Sequence, residues 1–338
     1  MTAPSARAGR PTALCVMNPE AAPLVLPAEP RRRLAEMVRL LPDLSGAQIH
    51  AGFPDALAEA EILVSGWGCP RLTTDVLKRA PRLRAVMHAA GTVKPLVSEA
   101  VWERSIVISS AADANAGPVV AYTTALITLA ARRTLTMAAR YHTGWPEQAF
   151  RSGGDGLTVG VIGASRIGRG VISQLVRSDA GYRILLSDPY VTAEEARSLG
   201  TERVELEELC GRSAVVSVHA PLLPETTGLL DTKLLALLPD GAALINTARG
   251  GIVDTDALTR ECLSGRLEAY LDVTDPEPLP PGHPLVTLPN VLLTPHIAGA
   301  QGTEVRRLGE YAVAEVARWL AGDPLQGRIR REDLARLA

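Results

Sequence analysis

Thr158-Val159-Gly160-Val161-Ile162-Gly163-Ala164-Ser165-Arg166-Ile167-Gly168 runs from a buried strand through a tight turn into the start of a helix. A dinucleotide pyrophosphate needs that arrangement. Gly163 permits the turn, the N–H groups at the helix N-terminus face the phosphates, and Gly168 lets helix and strand pack closely. Gly163, Ser165, Arg166, Ile167 and Gly168 are therefore expected on the cofactor. Asp188 closes the next strand about 20 residues on, where its carboxylate accepts from both ribose hydroxyls of NAD and repels the extra phosphate of NADP. The stretch departs from G-x-G-x-x-G at its middle position. Ser165 either donates its hydroxyl to a phosphate oxygen or pushes the cofactor away with its β-carbon.

Outward from this stretch, strands alternate with helices in both directions, the pattern of doubly wound parallel sheets. Upstream, the expected strands are Ala13–Met17, Ile62–Ser65, Leu83–Ala89 and Ile106–Ser110, with helical patterns at Leu34–Leu41 and Thr74–Arg79. Asn115–Thr134 reads as one long helix with Pro118 in its first turn. It leads to a glycine-rich stretch around Gly144-Trp145-Pro146 and Ser152–Gly156, which reads as a hinge between domains. Downstream, six strands are expected at Thr158–Ile162, Ile184–Ser187, Val215–His219, Ala243–Asn246, Ala269–Val273 and Val291–Thr294, with helices beginning near Arg166, Thr192, Thr232 and Thr255. A helix from Thr303 to Leu320 and a polar tail, Gly327–Ala338, follow.

The 338 residues suit about two domains. With 35 basic and 37 acidic side chains the formal charge is -2, which leaves no large basic field for nucleic acid or an anionic membrane. The runs Arg31–Arg33 and Arg328–Arg331 read as solvated surface beside neighbouring acids. Met1–Pro11 lacks the apolar core of a secretory signal and reads as a flexible tail. Asn115–Ala131, the longest uncharged run, is short and rich in Thr for roughly 30 Å of hydrocarbon. Cys15, Cys69, Cys210 and Cys262 are scattered, with no CxxC pair, as suits free thiols in a reducing compartment. A small-molecule ligand, a cytoplasmic location and no metal are the expectations.

Three further stretches follow strands: Asn246-Thr247-Ala248-Arg249-Gly250-Gly251-Ile252-Val253-Asp254, Leu271-Asp272-Val273-Thr274-Asp275-Pro276-Glu277-Pro278-Leu279 and Leu293-Thr294-Pro295-His296-Ile297-Ala298-Gly299. All lie beyond strand C-termini, where open α/β sheets bind ligands. Together with Val159–Gly168 and Ser217-Val218-His219-Ala220-Pro221-Leu222, they resemble the NAD-dependent D-2-hydroxyacid dehydrogenases. The resemblance implies a Rossmann NAD-binding domain, 116–299, inserted in a discontinuous flavodoxin-like substrate domain, 1–115 and 300–338. It also implies a homodimer, for which the Asn115–Ala131 helix is the candidate seam. By the same resemblance Arg249, Glu277 and His296 match the catalytic trio. Asp188, His219, Ala220, Pro221, Thr247, Ala248, Asp272, His296 and Gly299 fall on the cofactor. His219 also reads as a residue that merely orients a loop.

The chemistry suits those roles. A 2-oxo acid presents a carboxylate beside a ketone, and the planar fork of Arg249 grips both with charge-assisted bonds. As hydride reaches the carbonyl carbon, the oxygen gains charge and takes a proton from a His296 imidazolium, which Glu277 holds and favours. Relatives specific for formate carry an amide where Glu277 stands, which speaks against formate. The first domain departs from the family pattern, reading His88-Ala89-Ala90-Gly91-Thr92-Val93-Lys94-Pro95 where members have a Gly-x-Gly-Val-Asp-Asn type loop. Backbone amides at Ala90, Gly91 and Thr92 suit a carboxylate. Lys94 either meets a second anionic group, such as a phosphate or phosphonate, or is an exposed lysine. Trp67 either walls the same pocket or fills the core. Two other functions stay open: an NAD(H)-binding regulator with little turnover, and a phosphite or phosphonate oxidoreductase.

Overall fold

The computed structural model describes residues 9–52, 55–148 and 152–335. The chain forms two compact units, one built from residues up to Asn115 together with those from Ala300 onward, the other from Ala116–Gly299.

The first unit holds strands β1 (Thr12–Val16), β2 (Arg39–Leu40), β3 (Ile62–Ser65), β4 (Ala85–His88) and β5 (Val107–Ser110). They are parallel in the order β2-β1-β3-β4-β5, a flavodoxin-like succession. The sheet is buried on both faces, so its strands read as apolar runs rather than alternating ones. Successive residues nevertheless feed opposite cores. Leu14, Leu63, Val86 and Ile108 pack on one side, and Ala13, Cys15, Val64 and Met87 on the other. The helix Arg306–Ala321 covers this second side through Leu308, Ala312, Val313 and Val316, which is why the C-terminal segment belongs to this unit. Gly309 allows the approach: a β-carbon there would lie 1.7 Å from the Val25 carbonyl oxygen.

The second unit adds β6 (Thr158–Ile162), β7 (Arg183–Ser187), β8 (Glu202–Arg203), β9 (Val215–Val218), β10 (Ala243–Asn246), β11 (Glu268–Leu271) and β12 (Val291–Leu293). All seven are parallel, in the order β8-β7-β6-β9-β10-β11-β12. The order reverses between β6 and β9, and such a switch point opens a crevice at the strand C-termini. Here too the strands divide their side chains between two cores, with Val216, Leu244 and Leu271 on one face and Val161, Leu186, Ile245 and Tyr270 on the other.

Several expectations are corrected. Arg39–Leu40 is an edge strand, not the end of a helix, which stops at Met37. Glu202–Arg203 adds a seventh, short strand to the second sheet. The tail expected as solvated surface contributes β13 (Arg328–Ile329), antiparallel to β5, with Ile329 buried. That makes the first sheet mixed rather than wholly parallel. The long helix runs Ala112–Ala131 and stops before Arg133, whose φ of 51° breaks it; Thr134–Tyr141 is a separate helix. Pro118 therefore lies in the second turn, not the first. The stretch 144–156, read as a hinge, lies within the span of the second unit, and the division between units falls after Asn115. By length and composition alone Ala112–Ala131 is long enough to cross a membrane, but Val120, Leu126, Ile127 and Ala130 pack in the second unit's core. The expected flexible tail Met1–Pro11 lies outside the described residues over 1–8, as does the polar tail over 336–338.

Candidate active site

At the switch point of the second unit, the turn after β6 meets the end of β9. Gly163 has φ 94°, and a β-carbon on it would lie 2.8 Å from the Ala220 nitrogen. One on Gly168 would lie 2.0 Å from the Gly163 oxygen. Both contacts are with backbone that cannot swing aside, so only glycine keeps the turn closed. Beyond it the helix Arg166–Val176 presents its first-turn amides, with Arg166 exposed at its start and Ile167 packed against the core. Ser165 has a partner for its hydroxyl within the protein. Its backbone is extended and its hydroxyl donates to the His219 carbonyl at 2.9 Å, tying the turn to the adjacent strand end.

The His219 ring is buried, with Nε2 2.9 Å from the Ser217 hydroxyl. Burial pushes its pKa down to about 3, so it is neutral. Ala220 is buried, and Pro221 accepts from the Thr226 hydroxyl at 2.6 Å. Asp188 follows β7, accepting from the Ala164 and Tyr190 amides at 2.7 and 2.8 Å. An ionised carboxylate has about four acceptor positions, so capacity for ribose hydroxyls remains. A glycine turn that a β-carbon would fill, a helix N-terminus and a carboxylate after the second strand together fit a dinucleotide.

Farther along the same sheet edge, three loops interlock. Asn246, the buried last residue of β10, shapes the first: its Nδ2 donates to the Arg249 carbonyl at 2.8 Å, and its Oδ1 accepts from the Ala248 amide at 3.0 Å. Thr247 is buried with its hydroxyl 2.7 Å from that of Thr123. Gly250 lies against the second loop, where a β-carbon would meet the Thr274 carbonyl at 2.0 Å. Thr255 clasps that loop by donating to the Asp275 carbonyl at 2.7 Å. Asp272 organises the third loop. Its buried carboxylate accepts from the Thr294 hydroxyl at 2.6 Å and from the Ile297 and Ala298 amides at 2.8 Å each, while its carbonyl accepts from the His296 amide at 2.9 Å. The Tyr122 hydroxyl adds a bond to Thr294 at 3.1 Å.

The loops bring together His296 and Glu277. His296, held at φ 54°, places Nδ1 2.8 Å from Glu277 Oε1. Both side chains stay about half exposed, at 51% and 43%. Glu277 occupies Nδ1, so Nε2 is the ring atom available for exchange. Arg249 donates to the Ala248 carbonyl at 2.6 Å. Burial lowers its pKa from the ordinary arginine value and the field of Glu277 opposes the shift, so the guanidinium stays cationic and within electrostatic reach of the pair. Gly299, half-buried, ends the unit.

In the first unit, Ala90, Gly91, Thr92 and Lys94 follow β4. Ser110 holds their loop by donating to the Gly91 carbonyl and lies 3.3 Å from the Ala90 oxygen; the Lys94 amide donates to the Thr92 hydroxyl at 3.4 Å. Asn115 accepts from the Ala300 amide at 2.9 Å and places its Nδ2 beside Gly91. Trp67 is 40% exposed, so it does not fill the core. The four thiols are unpaired. Among the described residues no group of three His, Cys, Asp or Glu is placed to hold a metal ion.

Sequence reasoning missed Asn246, Ser110, Asn115, Tyr122 and Thr123. Asn246 had a readable signal, an Asn ending a strand before a loop, where such side chains bond their own backbone two residues on. The other four act through tertiary neighbours that no local pattern announces.

Residues 124–298 match the family described as D-isomer specific 2-hydroxyacid dehydrogenase, NAD binding domain. The D-3-phosphoglycerate dehydrogenase of Methanocaldococcus jannaschii is 33% identical over 291 residues, 83% of this chain and 54% of that protein. The chain spans about half the length of the curated relatives it matches. Among solved structures, the TT0316 protein of Thermus thermophilus is 33% identical with a TM-score of 0.76, covering 94% of this chain and 100% of that one. The D-lactate dehydrogenase of Aquifex aeolicus, solved with NAD and lactic acid, is 25% identical with a TM-score of 0.71, covering 92% and 96%.

Proposed function

Because the chain belongs to the D-isomer specific 2-hydroxyacid dehydrogenase family and carries its NAD-binding domain, we propose that it transfers hydride between NAD(H) and a small 2-hydroxy or 2-oxo acid. The observation that carries this reading is the 2.8 Å contact of His296 Nδ1 with Glu277 Oε1, beside the Arg249 loop that Gly250 packs against the Glu277 loop. The cofactor, held by the Gly163–Gly168 turn and Asp188, supplies or accepts the hydride when bound. Arg249 clamps the substrate's carboxylate and carbonyl oxygen through its planar fork, orienting the ketone and stabilising charge on its oxygen. His296, its ring held at Nδ1 by Glu277, delivers a proton from Nε2 to that oxygen in reduction and takes it back in oxidation. Within the first unit, the amides of Gly91 and Thr92, beside Ala90, are assigned to an anionic group of the substrate, and Lys94 to any second anionic group. We assign the protein to the cytoplasm as a homodimer whose seam is the Asn115–Ala131 stretch, a state gel filtration tests directly.

The decisive experiment follows NADH absorbance with a panel of 2-oxo acids, phosphorylated acids and, in the oxidative direction, phosphite. Turnover of at least one 2-oxo acid, faster at low than at high pH, is expected. Background rates throughout, with tight NADH binding, would instead mark an NAD(H)-binding regulator, and NAD reduction by phosphite would mark a phosphite oxidoreductase.

A further inference from the structure

The register of the first sheet aligns Ser65, His88 and Ser110, the last residues of β3, β4 and β5, as neighbours in one row. In-register residues of parallel strands point to the same face. All three are buried, at 0%, 7% and 3% exposure, in a sheet whose central strands are otherwise mostly apolar, with Thr12 and Ser109 the other buried polar residues. Burying polar side chains is costly unless each finds partners.

Here the partners lie in the loop that follows β4. The His88 ring places Nδ1 2.9 Å from the Ser65 hydroxyl and makes a backbone hydrogen bond to Thr92. A neutral ring has one donor and one acceptor nitrogen, so Ser65 donates to Nδ1 and Nε2 donates to the Thr92 carbonyl. Ser110 donates to the Gly91 carbonyl, with the Ala90 carbonyl 3.3 Å away. The carbonyls of Ala90, Gly91 and Thr92 are thus all drawn toward the row. In a planar trans peptide the N–H points opposite to the C=O, so the amides of Gly91, Thr92 and Val93 point away from it. None of these three amides donates to another of the described residues.

We infer that His88 is a positioning residue: bridging the Ser65 hydroxyl and the Thr92 carbonyl, it sets the amides of Gly91, Thr92 and Val93 to receive an anionic substrate group. The assignment rests on the proposed 2-oxo acid chemistry for its biological use, but the geometry of the row stands apart from it. Burial holds the ring neutral, with its pKa down to about 4, so the Nδ1 acceptor survives across the working pH range. His88 is buried beneath the loop whose carbonyl it holds, and the Gly163–Gly168 turn belongs to the other unit.

The test compares wild type with His88→Leu, which removes both bonds, His88→Gln, which restores a donor toward Thr92, and Ser65→Ala, which frees the ring. Expected is a KM for the 2-oxo acid raised about tenfold in His88→Leu, less in Ser65→Ala, and largely restored in His88→Gln. The kcat and the NADH Kd stay within about twofold of wild type. A second readout is independent of turnover: backbone amide resonances of Gly91, Thr92 and Val93 shift when oxamate is titrated in, and His88→Leu loses that response while His88→Gln keeps it. Should wild type turn over no oxo acid yet show the amide response, the function is wrong and the positioning role stands. If the three amides ignore oxamate in wild type, or if KM is unmoved in both His88→Leu and Ser65→Ala, the role assigned to His88 is overturned. Should His88→Leu fail to fold, Ser65→Ala and His88→Gln carry the comparison.

Discussion

Acidification to about pH 5 weakens this fold through two buried imidazoles, one in each unit. Burial pushes His88 down to about 4 and His219 to about 3, from an ordinary value of 6.5. Each folded-state pKa lies below the unfolded one, so at acid pH the unfolded chain binds a proton that the native ring refuses. Stability is therefore fully present above the unfolded pKa and is lost as pH falls from about 6.5 toward the folded values. Between about pH 7.5 and 5 the linkage relation gives about 2 kcal/mol for each ring, while most carboxylates still keep their charge. Against a typical stability of roughly 5–15 kcal/mol that loss is large. Urea unfolding of wild type, His88→Gln and His219→Gln at the two pH values measures it. Each variant starts less stable, since it loses a buried hydrogen bond, but the quantity compared is the change with pH. That change shrinks by about 2 kcal/mol in each single variant and the two reductions add, because the sites share no partner. Equal pH dependence in wild type and both variants would refute the claim that these rings are held neutral by burial.

The other predictions concern the second unit. His296→Gln lowers kcat by about 10²–10⁴-fold with the NADH Kd unchanged, measured by steady-state kinetics and fluorescence titration; wild-type turnover would remove His296 from the chemistry. Asp272→Asn keeps an acceptor for one side of the loop but leaves at least one donor among Thr294, Ile297 and Ala298 unmatched. Its expected cost is about 1–3 kcal/mol of stability, with kcat falling more than NADH affinity; a change confined to NADH affinity would show that the carboxylate serves the cofactor instead. Gly168→Ala forces a β-carbon to within 2.0 Å of the Gly163 oxygen, so calorimetry should show NADH binding weakened at least tenfold, about 1–3 kcal/mol of strain being released into the turn. Unaltered binding would mean the helix shifts freely.

The sequence by itself settled the α/β class and pointed to the stretches that the second unit gathers at the C-terminal ends of its strands. Apolar runs buried on both faces, punctuated by turn residues, are local signals, and Val159–Gly168 carries the cofactor turn in one short stretch because glycine alone tolerates the contacts that turn requires. Edges and ends were harder to read. Arg39–Leu40, Glu202–Arg203 and Arg328–Ile329 are two-residue strands whose pairing comes from a neighbouring strand and not from any pattern of their own. Tertiary structure alone decided where the Ser165 hydroxyl points, which donors Asp272 gathers, and that Ser65, His88 and Ser110 stand in one row. Those facts depend on partners 20 to 54 residues away in the chain. A hydrogen bond at such range is fixed by strand register and loop packing, quantities that exist only once the sheet has formed.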